Sequence, residues 1–446
     1  MTDTPKLTRR RFLERSAAAL AAPLILPKLR LFGADAPSNR INLALIGCGA
    51  RAGYVFLENL PIPGLRVVAA VDPFAGRRES YAARLNEKYE TDACRPFRDF
   101  REIIARPDID AVGVFTPDHW HVPVAWAAAQ HRKDMYVEKP LSVALEWPWK
   151  LRPKMRESGV VFQYGTFQRS VSQFRRACEL VRNGYIGNVQ RVDVWCPSLP
   201  PDVHVPRREE SVPEGFDYDL WTGPAPRRPY QPERVSSEGA WHCHETALGF
   251  IAGWGAHPLD ICQWGLDMDA TGPVRYAGRG VLPTAEDELY NTTRGWDIAC
   301  DYANGVKMRF MDETTAMPVV QAYHYVFRDH GTVFHGDEGW VGVDRMAMYS
   351  SDHSRLRQVE LADTDTPLPE SPGHVENFLE CMRTRAQTIS PFEAALRCDT
   401  ISHLSDIVVR TGRPLEWDPA AEQIVNATVE QNKRLGRPMR AGYAIE

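Results

Sequence analysis

The sequence predicts an α/β protein in which a doubly wound parallel sheet is followed by a second α/β domain with a large, mainly antiparallel sheet. Three observations predict this. An apolar run of strand length ends on a glycine motif at Gly47. Short apolar runs then alternate with helix-competent segments as far as Tyr164. Beyond that point, glycine turns and an Asn-Gly hairpin signal take over. At 446 residues the chain exceeds one typical core. The expected division is a targeting segment over 1–36, a nucleotide-binding domain over 40–165 and a substrate-binding and oligomerisation domain over 166–446.

The N-terminal segment reads separately from the rest. Thr8-Arg9-Arg10-Arg11-Phe12-Leu13 resembles a twin-arginine export signal, an Ala-rich stretch runs from Ala17 to Leu26, and Ala34-Asp35-Ala36 is a small-x-small cleavage site. Basic, apolar and small-residue regions in that order describe a removable targeting segment. The apolar stretch falls well short of the ~20 residues that span a bilayer. The expectation is an exported, periplasmic protein with no membrane association after processing. The segment holds seven basic and three acidic residues, so its removal moves the formal charge from −5 to −9. That balance argues against a nucleic-acid partner or an anionic membrane surface. Nine cysteines, none in a Cys-x-x-Cys pair, suggest neither a disulfide framework nor a structural zinc, and no metal is expected.

Asn42 to Ile46 is the first strand, and it runs directly into Gly47-Cys48-Gly49-Ala50-Arg51-Ala52. In this G-x-G-x-x-A pattern Gly47 permits the tight turn and Gly49 lets the backbone approach a pyrophosphate. The small Ala52 lets the following helix pack closely on the strand. A second strand, Arg66 to Val71, ends on Asp72, which lies 25 residues after Gly47. A carboxylate near that spacing binds the adenosine ribose hydroxyls of a dinucleotide. Asp72 favours NAD, while Arg77 and Arg78 keep NADP open.

The alternation continues with helices over Gly76–Tyr89 and Phe97–Ala105, a strand over Ala111–Phe115, a helix over His121–Gln130 and a strand over Asp134–Val137. Such alternation implies right-handed parallel crossovers and a Rossmann-type sheet. Ligands of these sheets bind beyond the carboxyl ends of the strands. Gly47, Asp72, Thr116-Pro117 and Glu138-Lys139-Pro140 all fall at those ends.

Glu138-Lys139-Pro140, following Thr116-Pro117-Asp118-His119-Trp120-His121, resembles the Gfo/Idh/MocA oxidoreductase family. The resemblance covers nearly the whole chain from Asn42 onward. It implies a nicotinamide-dependent enzyme oxidising a hydroxyl of a sugar, polyol or glycoside, often with a cis peptide before the motif proline. Lys139 would bond the reacting hydroxyl and move its proton, with Glu138 orienting the lysine and touching the cofactor. Thr116, Pro117, His121 and Trp221 of Trp221-Thr222-Gly223-Pro224 would also line the cofactor site. The loop Gln163–Ser170 would bring Gln168 and Arg169 to the substrate.

In the second domain, Phe250 to Asp260 resembles the start of the family's active-site helix, with His257 as general acid or base. Relatives commonly carry aspartate four residues before that histidine, where this chain has Gly253. Asp260, three residues beyond His257, is expected on a similar helix face. His242-Cys243-His244 reads as a polar pocket edge with His244 as a substrate contact, or, if it is a strand, as two rings on one face that could bind zinc with an added carboxylate, a metal the family does not require. The long Pro-rich stretch from Pro197 to Trp241 is expected to be ordered. Asp297–Tyr302, Asn304-Gly305 and Val306–Met311 form the hairpin signal, followed by a strand at Gly339–Val343 and helices over His374–Arg383 and Phe392–Arg410. The resemblance also implies a homo-oligomer.

Export constrains the chemistry, because free dinucleotide is scarce outside the cytoplasm; a retained, recycled cofactor is expected. Two alternatives accompany the dehydrogenase reading. One is an NAD-dependent glycosidase, in which transient oxidation acidifies a neighbouring C–H, elimination expels the aglycone, water adds and the carbonyl is reduced again. The other is a non-catalytic sugar-binding protein on the same scaffold.

Overall fold

The computed structural model describes residues 40–445, so the segment read as an export signal lies outside the described residues. The first domain comprises β1 (Ile41–Ile46), α1 (Ala50–Val55), β2 (Leu65–Val71), α2 (Ala75–Tyr89), β3 (Arg95–Phe97), β4 (Ala111–Val114), α3 (His121–Gln130), β5 (Asp134–Val137), α4 (Glu146–Ser158) and β6 (Phe162–Tyr164). The strands are parallel throughout and lie in the order β3-β2-β1-β4-β5-β6. The order reverses between β1 and β4, and that switch point is where such sheets bind ligands. Every residue of β4 and β5 is buried, as expected for strands covered by helices on both faces.

The second domain adds α5 (Ser172–Arg182), β7 (Val189–Cys196), α6 (Tyr218–Thr222), α7 (Pro232–Val235), α8 (Ser237–His242), α9 (Phe250–Gly253), α10 (Ala256–Gly265), β8 (Arg275–Val281), β9 (Gly295–Asp301) and β10 (Lys307–Asp312). It continues through α11 (Glu313–Gln321), β11 (Gly331–Gly336), β12 (Trp340–Val343), β13 (Met348–Ser350), α12 (His353–Gln358), α13 (His374–Thr384), α14 (Phe392–Thr411), β14 (Leu415–Asp418), β15 (Gln423–Val425) and α15 (Val429–Lys433). Its nine strands run β13-β12-β11-β7-β10-β9-β8-β14-β15, antiparallel except for the β7–β10 pair. The Asn304-Gly305 turn joins β9 to β10, and Gly305 takes the positive φ of 94° that this hairpin demands. One apolar cluster includes Val114 and Val137 of the first sheet and Trp296 and Phe310 of the second.

One local expectation needs correction. Residues 97–105 do not form an α-helix: β3 ends at Phe97, and a short 3-10 turn, Phe100–Glu102, follows. Asp99 and Glu102 close a reciprocal capping box there, which satisfies the local amides within a single turn. His242, Cys243 and His244 are not a strand; His242 ends α8 and Cys243 caps it. The Pro197–Trp241 stretch, expected to be ordered, carries α6, α7 and most of α8. Its aromatic residues Tyr218, Trp221 and Tyr230 make a small core of their own, which holds the segment against the first domain.

Candidate active site

A cavity of about 620 Å³ opens at the carboxyl edge of the parallel sheet, over the switch point. Gly47, Gly49, Asp72, Thr116, Pro117, His121, Glu138, Lys139, Trp221 and His257 all line it. Ala52 is fully buried inside α1 instead. Gly47 has a φ of 94°, and an added Cβ would lie 2.5 Å from the Phe115 carbonyl, so only glycine closes this turn. An added Cβ on Gly49 would meet nothing within 4 Å, which leaves its backbone open to a ligand.

Asp72 accepts from the Cys48 amide at 3.0 Å and from the Phe74 amide at 2.8 Å. Burial raises its pKa, and those two amides and the neighbouring Arg77 and Arg78 oppose the rise. Arg77 lines the same end of the cavity, while Arg78 donates to the Asp72 carbonyl at 3.2 Å.

The two motif loops are tied together by His121, whose ring nitrogens lie 2.6 Å from the Pro140 carbonyl and 2.9 Å from that of Thr116. The Trp221 carbonyl accepts from Trp120 Nε1 at 3.1 Å and lies 3.0 Å from His119 Nε2, which anchors the second-domain segment over the first. Glu138 accepts from Arg51 Nε at 2.6 Å and from the Lys139 amide at 3.1 Å. The Lys139–Pro140 peptide is cis.

Lys139 reaches across the domains. Its Nζ donates to the Gly253 carbonyl at 2.6 Å and lies 5.0 Å from the centroid of the Trp241 ring. Burial lowers the Lys139 pKa, with Glu138 and Asp118 opposing. Asp118 is buried in the same wall, and burial raises its pKa while the lysine opposes. His257 lies between Phe167 and Trp254, at ring separations of 5.6 and 5.7 Å. Its Nδ1 has no hydrogen-bond partner among the described residues. Burial, then the charges of Arg345 and Lys139, push its pKa well below the ordinary histidine value, so the ring is neutral near pH 7.

Four expected site residues are placed elsewhere. Asp260 does not share the cavity with His257: it receives two bonds from Arg169, at 2.8 and 2.7 Å, and both side chains are buried. All of α10 is buried, so residues three apart on it face different neighbours. Arg169 also pairs with Asp269 at 2.7 Å, which leaves its guanidinium spent within the protein. His244 faces Arg437, at 2.9 Å, instead of the cavity. Gln168 stands behind the wall; with its amide oriented to suit its neighbours it donates to the His257 carbonyl at 3.3 Å and accepts from Arg345 Nε at 3.2 Å.

Sequence reasoning missed Asp118, Arg51, Trp241, Trp254 and Arg345, all of which line the cavity. Asp118 sits inside the Thr-Pro motif and was within reach of that reading. Arg345 lies in the turn between β12 and β13, where no periodicity or motif marks it.

A family model described as "Oxidoreductase family, NAD-binding Rossmann fold" matches residues 41–166, and one described as "Oxidoreductase family, C-terminal alpha/beta domain" matches residues 204–445. The first domain is therefore an NAD-binding Rossmann fold. A scyllo-inositol 2-dehydrogenase (NAD(+)) of Bacillus subtilis (strain 168) is 34% identical over 152 residues, which are 33% of this chain and 42% of that protein. A glycosyl hydrolase family 109 protein of Streptomyces niveus is 32% identical over 114 residues, 25% of this chain and 23% of that protein. The chain thus spans less than half the length of either relative. Among solved structures, the aldose-aldose oxidoreductase of Caulobacter crescentus in complex with glycerol superimposes with a TM-score of 0.58 at 17% identity, covering 84% of this chain and 99% of that one. At that identity the likeness is one of fold.

Proposed function

We propose that this chain, which belongs to the Gfo/Idh/MocA oxidoreductase family, oxidises a secondary hydroxyl of a sugar or polyol with NAD, Lys139 taking the proton. The observation that carries the reading is that Lys139 and His257, close enough for the lysine's charge to act on the ring, line the same cavity as Gly47 and Asp72. The residues fit the cofactor: the open backbone at Gly49 suits a pyrophosphate, and the Asp72 carboxylate suits a ribose diol. When bound, the nicotinamide supplies the hydride acceptor.

The protein's own work is proton handling and positioning. A substrate hydroxyl that reaches Lys139 Nζ competes with the Gly253 carbonyl for the same ammonium hydrogens. The lowered pKa favours the neutral amine, which accepts the hydroxyl proton as the carbonyl forms. Asp118, whose burial favours the protonated carboxyl, lies near enough to the lysine for each to act on the other's charge, and held neutral it does not draw the lysine toward the ammonium form. Neutral His257, with Nδ1 unpartnered, orients a second hydroxyl of the same ring. Arg51 holds Glu138, and Glu138 holds the lysine backbone.

The test is to incubate the NAD-loaded protein with a panel of sugars, polyols and glycosides. Reduced nicotinamide should accumulate with the wild type and be lost in Lys139→Ala. A second reading, glycoside cleavage by transient oxidation, is favoured by Gly253 in the place of the usual aspartate and by the Streptomyces niveus relative. It predicts aglycone release with no net reduced cofactor. A non-catalytic sugar binder would bind sugars and give neither product.

Export and assembly belong to the same proposal. The basic, apolar and small-residue order of the first 36 residues supports a twin-arginine route to the periplasm, with the cofactor carried through and recycled. Arg9→Lys with Arg10→Lys should leave the protein in the cytoplasmic fraction. A homo-oligomer is expected by light scattering.

A further inference from the structure

Arg345 lines the same cavity, and among the described residues no carboxylate forms an ion pair with it. Its guanidinium carbon lies 4.4 Å from the centroid of the Trp254 ring and 5.0 Å from that of Phe167. Two aromatic rings thus hold the cation, and a guanidinium stacked in this way keeps its N–H donors directed outward in its own plane. Nε is taken by Gln168 at 3.2 Å. Among the described residues, no acceptor is paired with the two terminal nitrogens and no carboxylate lies within ion-pair distance. Asp329, whose charge also reaches Arg345, is bonded to His330 Nδ1 at 2.7 Å. The other cations at this end are committed: Arg51 to Glu138 at 2.6 Å and Lys139 to the Gly253 carbonyl at 2.6 Å.

The neighbouring wall leaves room for a substituent. An added Cβ on Gly253, whose carbonyl holds Lys139, would meet nothing within 4 Å. A fixed guanidinium edge in the cavity wall matches a planar carboxylate, which it can bind through two parallel bonds.

We infer that Arg345 is a specificity-determining residue that binds the carboxylate of an acidic sugar, making a uronic acid or its glycoside the substrate class of this site. The inference rests on the reading of this cavity as the substrate site. A neutral sugar would leave the guanidinium edge to water, whereas a uronate would satisfy it with a charge-assisted pair. The partly aromatic surroundings strengthen that pair relative to one in bulk solvent.

The test uses the NAD-saturated protein and matched probes: glucuronate against glucose, galacturonate against galactose, and glucose 6-phosphate as a different anion. Binding is read by calorimetry and by quenching of tryptophan fluorescence, since Trp254 packs on Arg345. At least one uronate should bind tenfold or more tightly than its neutral counterpart, and the ratio should fall to near one in Arg345→Gln. Arg345→Lys should keep only part of it, because an ammonium lacks the planar fork. Retained NAD binding in each variant shows that the fold is intact. The assignment is overturned if no uronate is preferred, whether binding is equal or absent. It is also overturned if glucose 6-phosphate outcompetes every uronate, or if the preference survives in Arg345→Gln. A uronate preference without cofactor reduction would defeat the dehydrogenase reading and leave Arg345 in its role. Reduction with neutral sugars and no uronate preference would do the reverse.

Discussion

Lys139 Nζ donates to the backbone carbonyl of Gly253 at 2.6 Å, joining the end of β5 in one domain to the end of α9 in the other. The acceptor is a peptide oxygen, not a side-chain carboxylate. A carbonyl holds the lysine in place without the full negative charge that would raise its pKa, and burial lowers that pKa. The lysine is thus held in place while burial favours its deprotonation.

Gly253→Asp should fold, because its Cβ enters open space. The new carboxylate next to Lys139 favours the ammonium, so the lysine pKa rises and the acid limb of the kcat profile, where activity climbs with pH, moves to higher pH. If the neutral amine is the working form, kcat near pH 7 falls by about tenfold for each unit of that shift. An unchanged pH profile in a folded, NAD-binding variant would count against Lys139 as the base.

Asp260→Asn separates structure from catalysis. The side chain is buried against Arg169, and removing one charge leaves the other in a low-dielectric site. Asp269 still partners Arg169, so the loss belongs at the lower end of the ~3–5 kcal/mol typical of broken buried pairs. Urea unfolding should show it, with the pH dependence of kcat unchanged in whatever fraction remains folded. A shifted pH profile with normal stability would restore Asp260 to the active site.

Acid should destabilise the protein through its buried histidines. Burial pushes His119, His242 and His374 down to about 4 from the ordinary value of 6.5, and lowers His257 and His244 well below it. Between those values the unfolded chain binds protons that the folded chain refuses, so stability present above pH 6.5 is lost as pH falls toward 4. Each such histidine contributes at most about 1.4 kcal/mol per pH unit in that window. Thermal melts taken at falling pH should show Tm dropping through it; a flat Tm would contradict the burial of these rings as neutral groups.

The first domain was legible because its signals are local. Apolar runs, the turn at Gly47 and the acid at Asp72 each report on their own neighbourhood, and a parallel sheet brings their ends to one edge. The error at residues 97–105 is also local, since a capping box can close a single 3-10 turn as readily as it starts a helix. The second half of the site depends on distance in sequence. Asp260 reads as a neighbour of His257 until Arg169, 91 residues away, claims it. His244 likewise turns to Arg437, 193 residues away. Arg345 enters the cavity from a turn at the sheet edge, and only the packing of Trp254 and Phe167 against it reveals a purpose.

The most direct measurement is the appearance of reduced nicotinamide when the NAD-loaded protein meets its sugar, for wild type and Lys139→Ala side by side. The account predicts reduction in the wild type and a loss of about 10²–10⁴-fold in the variant, the usual scale of general acid–base catalysis, with NAD binding retained. Equal turnover in the two proteins, or a wild type that binds no dinucleotide, would contradict it.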